Sequence, residues 1–229
     1  MRLFAGNRSL IVTAAILAVA FVVAPAVLAG GGYGSFYDNQ PLVDALDKSF
    51  AAYWRSGVRT SDLQDLVDYW LWYHVAKAAI AAGLLAVLAV LCLRSRRTWG
   101  RAVTAVLAVG ATILTMANVQ GAAAPFASLL PMLSDEARQA HSVVGDADET
   151  ALAVMVGDFA RYHAVLAGLA ALVAAVLIVV VAECLRRRLP VGFTASTAAL
   201  SALMLVVVAA NVTNAVAPEE GLQVFLSGG

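Results

Sequence analysis

The sequence predicts an all-α protein, a polytopic bundle of five transmembrane helices built on a duplicated hairpin with a small helical extracytoplasmic cap. Three observations carry this. The 229 residues are 62% hydrophobic and only 13% charged, with a mean hydropathy of +0.83, whereas soluble domains are about half apolar and a quarter charged. Five apolar stretches are long enough to cross a bilayer. Finally, a pattern occurs twice: Tyr73-His74, Cys92-Leu93-Arg94, Asn118 and Ala124-Pro125 are followed by Tyr162-His163, Cys184-Leu185-Arg186, Asn211 and Ala217-Pro218, at offsets of 89, 92, 93 and 93. A register kept this well marks a repeated unit.

In chain order, residues 1–29 form the first span. The apolar run 10–28 follows Arg2 and Arg8 and ends beyond Ala24-Pro25. Its length favours a retained span over a signal peptide cut after Ala29. Residues 30–61 form a first outer segment, in which Leu42, Val43, Leu46, Phe50, Tyr53 and Trp54 recur at helical spacing. They predict a short amphipathic helix on the membrane surface or against the bundle. Hairpin 1 covers 62–125, with Ser61 as N-cap and Gln64 completing a capping box. A helix over 62–94 would be about 50 Å long, so its first turns, with Asp62, Asp65 and Asp68, stand clear of a hydrocarbon core of about 30 Å. Trp70, Trp72 and Tyr73 mark the interface.

After a basic turn at 94–101, a third span runs over 102–124. Residues 126–148 form the second outer segment, where Ser134 caps a short helix over 135–142. Hairpin 2 covers 149–218, with a helix over 149–186, an Arg186-Arg187-Arg188 turn and a fifth span over 191–216. The outer tail is 219–229.

Charge sets the orientation. Nine of the fifteen basic residues sit at the N-terminus and in the two tight turns, and every acid but Glu183 lies on the other side. The positive-inside rule places the N-terminus in the cytoplasm and the C-terminus outside a multi-pass cell-membrane protein. Both hairpins then lie the same way up, related by a parallel pseudo-twofold. The net charge of zero gives no footprint for nucleic acid. Two cysteines make no disulfide framework, and no zinc spacing or phosphate-binding glycine motif is present.

The repeated polar residues are the candidate site. His74 and His163, each after a tyrosine (Tyr73, Tyr162), could ligate haem or copper. The structural alternative is an interfacial anchor whose imidazole bonds to Asp68 or Asp158 about a turn away. Asn118 and Asn211 lie about 10 Å below the Ala-Pro ends of their spans and need partners inside the bundle, as interhelical bonds or as ligand-binding groups. With Thr112, Thr115, Gln120, Thr213 and Asn214 they could line an outward-facing cavity between the repeats. Glu183 and Arg187 have the spacing of a structural helix ion pair. Small residues (Ala78, Ala79, Ala82 and Gly83; Ala167, Ala170, Ala171, Ala174 and Ala175) mark faces for close helix approach.

The stretch 116–131, MANVQGAAAPFASLLP, and the stretch 158–163, DFARYH, resemble an uncharacterised group of multi-spanning membrane proteins from high-GC actinobacteria. The resemblance implies a membrane location, no known activity and no catalytic residue. The expected function is thus non-enzymatic binding of a small ligand, or of a membrane or extracytoplasmic protein partner, with lipid around the spans. A histidine-based haem or copper redox protein is the first alternative and a small transporter the second. No cofactor is specified.

Overall fold

The computed structural model describes residues 7–30, 32–33, 38–141 and 147–228. Arg2, Gly34 and Ser142 lie outside them. Within them the chain is helical: α1 (Asn7–Leu28), α2 (Gln40–Ser56), α3 (Ser61–Arg94), α4 (Thr98–Ala123), α5 (Pro125–Leu129), a 3-10 turn (Leu130–Met132), α6 (Asp135–Ala140), α7 (Glu149–Arg186), α8 (Val191–Val216) and α9 (Pro218–Ser227). Helices α1, α3, α4, α7 and α8 are long and apolar enough to cross a membrane. Their backbone groups are satisfied within each helix, as lipid requires.

Helix α3 packs on α4 and α7 on α8, α1 lies along α3, and α4 meets α7. Large apolar side chains point outward along these helices, among them Ile16, Val19, Val106, Val179 and Val206. Such a surface is unfavourable in water and natural in lipid. The chain is an integral, multi-pass membrane protein.

The close-packed apolar core lies at one end of the bundle. Leu42, Leu46, Phe50, Tyr53 and Trp54 of α2 interlock with Leu63 and Leu66 of α3, Phe126 and Leu129 of α5, Met155 and Phe159 of α7, and Leu222 and Leu226 of α9. The helical spacing in α2 thus packs its apolar stripe on the bundle, with Tyr53 and Phe126 edge to face at 5.5 Å. Burial pushes the Tyr53 phenol above its ordinary value of 10. Gly57 ends α2 at φ +67°, where its backbone N–H bonds to the Tyr53 carbonyl. A side chain there would strike Asp148, whose carboxylate caps α7 at Thr150 and Ala151. The two arginine turns lie at the other end, where Trp99 is 82% exposed, as suits an interfacial ring.

Several local expectations change. The N-cap of α3 is Thr60, whose hydroxyl accepts from the Leu63 N–H. Gln64 does not close a capping box; it donates to Asp68 and accepts from Arg59. Ser61 is already helical, so the cap falls one residue earlier. Helix α6, capped by Ser134, stops at Ala140. Helices α5 and α9 were not expected as helices; each begins with proline at the first helical position. Of the small residues, Ala167, Ala170 and Ala174 are buried on α7, whereas Ala171 and Ala175 face outward. On α3 the buried alanine is Ala81, while Gly83 packs near Leu17 of α1.

Candidate functional site

Each repeated histidine is held by the repeated asparagine of the next helix. His74 Nδ1 lies 2.9 Å from Asn118 Oδ1, and His163 Nδ1 lies 2.8 Å from Asn211 Oδ1. The direction of the bonds follows from the amides. Asn118 Nδ2 donates to the Leu114 carbonyl at 2.7 Å and Asn211 Nδ2 to the Val207 carbonyl at 2.8 Å, so each Oδ1 is left to accept from an imidazole N–H. In the neutral ring Nε2 then carries the lone pair. The aromatic surroundings also recur. Trp70 and Phe159, each four residues before its histidine, stand edge-on to the imidazoles at 4.9 and 4.5 Å. Tyr73 and Tyr162 stand nearly perpendicular to them at 5.7 and 5.4 Å.

The expected aspartate partners are engaged elsewhere. Asp68 accepts from Gln64. Asp158 accepts from the Ala127 N–H at 2.8 Å, tying α5 to α7, and pairs with Arg161. On a helix, residues five or six positions from a histidine point away from it, whereas the asparagines approach from the neighbouring helix. Gln120 donates to the Tyr162 carbonyl at 3.2 Å, which brings the end of α4 beside the start of the apolar part of α7. Both histidine–asparagine pairs therefore lie at the same end of the bundle.

The two pairs differ in what covers them. The His74 ring packs onto Gly121, where an added Cβ would meet three ring atoms at 2.7 Å, and His74 Nε2 is buried without a partner among the described residues. The residue 93 positions beyond Gly121 is Asn214, which lines a cavity together with His163. This cavity, of about 460 Å³, lies between α5, the 3-10 turn, α7, α8 and α9. Leu130, Phe159, Val224 and Phe225 supply apolar wall, and Tyr162, Thr213, Asn214 and Glu220 supply polar groups. The cavity lies beside the second hairpin rather than between the two. Asn118, Thr112, Thr115 and Gln120 do not line it, and the hydroxyls of Thr112 and Thr115 bond back to carbonyls of their own helix. Tyr73 borders a separate, smaller cavity.

Glu183 forms ion pairs with Arg186 at 2.7 Å and with Arg187, at the end of the bundle away from the histidines. Sequence reasoning passed over Gly121 and Glu220. The register that pairs Gly121 with Asn214 was a usable signal for the first. The proline and two acids opening α9 were a signal for the second. Among the described residues no three His, Cys, Asp or Glu side chains are arranged to hold a metal ion.

Fold and site together define an all-helical, multi-pass membrane protein with two interhelical histidine–asparagine pairs at one end. Compared with known protein families, curated proteins and solved structures, the chain matches none.

Proposed function

We propose that this is a non-enzymatic binding protein of the cell membrane, a duplicated parallel hairpin whose histidine-bearing end faces out and takes a small amphipathic ligand beside His163. The supporting observation is the contrast between the two equivalent imidazoles: Gly121 packs against one, whose Nε2 is buried, and the other lines a cavity. Such a cavity, apolar with a few convergent polar groups, is the usual form of a small-molecule site. Its polar side combines the Glu220 carboxylate with an imidazole whose only N–H is committed to Asn211. Both accept hydrogen bonds, so the fitting head group is a donor, best a cationic amine, on an apolar body.

The test uses the full-length protein in nanodiscs, titrated with alkylamines and with alkyl carboxylates of equal length. The amines should bind saturably, and Glu220→Gln should weaken them on the order of tenfold, the scale of one charge-assisted hydrogen bond. Equal binding of both classes, or amine binding untouched by Glu220→Gln, would refute the assignment.

A haem or copper centre is the second reading. It is favoured by the held Nδ1–H, because second-shell acceptors orient histidine ligands in this way. Protein purified from native membranes should then show a Soret band or stoichiometric copper that His163→Ala removes; a preparation with neither excludes it.

A further inference from the structure

Lys77 lies seventeen residues before Arg94 in α3, a rise of about 26 Å. Across a hydrocarbon core of about 30 Å, its ammonium therefore sits near the boundary opposite the arginine turns. No carboxylate pairs with it among the described residues. Its Nζ lies 4.7 Å from the Phe21 ring centroid and 5.0 Å from that of Tyr73, and donates to the Tyr73 hydroxyl at 3.4 Å. Among the described residues its other two N–H donors make no hydrogen bond.

These groups border a cavity of about 210 Å³ enclosed by α1, α3 and the start of α2. Asn39, Tyr69 and Trp70 also line it, and among the described residues no acidic side chain does. An ammonium, phenol hydroxyls and a side-chain amide form a set rich in donors around this small space. We propose that this cavity binds a phosphate group on Lys77, with the Tyr73 hydroxyl as a neutral donor. A phospholipid head group and a free phosphate ion offer the same acceptor chemistry.

The chain has two lysines, Lys48 and Lys77, which makes the test specific. Full-length protein is stripped of lipid in neutral detergent and treated with an amine-reactive reagent. The reaction is run with phosphatidylglycerol, with inorganic phosphate, or with neither, and each lysine is read by peptide mass spectrometry. Exposed Lys48 serves as the internal standard. Phosphatidylglycerol should slow modification of Lys77 relative to Lys48 on the order of tenfold. In native mass spectrometry its adduct should survive Lys77→Arg and be lost in Lys77→Gln. Protection by inorganic phosphate at equal concentration supports the site with the free anion as ligand; protection by the lipid alone assigns it to head groups. If neither anion alters the Lys77:Lys48 ratio, or the adduct persists in Lys77→Gln, the proposal fails.

Discussion

Replacing Gly121 with alanine should destabilise the protein by about 1–3 kcal/mol, the usual cost of overpacking a filled site. The sign is the informative part. Alanine is the better helix former by about 1 kcal/mol, and Gly121 lies inside α4, so propensity alone predicts a gain. Geometry predicts a loss, because the new methyl would meet His74 at 2.7 Å. The ring cannot retreat freely: Asn118 holds its Nδ1, and Trp70 and Tyr73 stand against it. Gly168→Ala is the matched control, since a Cβ there meets nothing within 4 Å, and it should be neutral or stabilising by up to about 1 kcal/mol. Thermal unfolding of both variants in detergent checks the contrast. A Gly121→Ala protein as stable as Gly168→Ala would mean that the His74 pocket is loose.

Asn118→Leu should cost a comparable amount, about 1–3 kcal/mol, because it strands the His74 Nδ1–H in a place where Asn118 is only 5% exposed. Interhelical hydrogen bonds in membranes average about 0.6 kcal/mol, but here the penalty is that of a buried donor left unsatisfied. Asn211→Leu should cost less, because His163 lines an open cavity and water can replace the amide. Adding His74→Phe to Asn118→Leu should recover part of the loss, since removing both partners removes the orphan. Denaturation of the two single variants and the double variant gives the comparison. Equal losses at Asn118 and Asn211, with no recovery in the double variant, would contradict a closed first pair and an open second.

The spanning-length helices were legible in the sequence because long apolar runs are bounded by unambiguous stops. Pro190 precedes α8 and Ala217-Pro218 ends it, so its bounds of Val191–Val216 follow from local chemistry. Helix α9 was less visible. Leu222 and Leu226 are spaced for one buried face, yet Gly221 sits between the acidic first turn and that face and weakens the pattern. At five residues, α5 has no periodicity to read. Both histidines and both asparagines stood out through their repetition, but not as partners of each other. That pairing depends on how α3 and α7 rotate against α4 and α8, which spacing within one helix does not encode. The nearest acids in sequence looked like suitable partners, and the packed helices turned them to other tasks.

In the proposed arrangement both hairpins point the same way, with their histidine ends on one side of the membrane and their arginine turns on the other. Site-directed labelling tests this most directly. With Cys92 and Cys184 replaced by alanine, single cysteines are introduced as Asp62→Cys, Glu149→Cys, Arg96→Cys and Leu189→Cys. Intact cells are then treated with a membrane-impermeant maleimide. Positions 62 and 149 should label without permeabilisation, and positions 96 and 189 only after it. If 62 and 149 respond from opposite sides of the membrane, the hairpins are not parallel and the account is wrong.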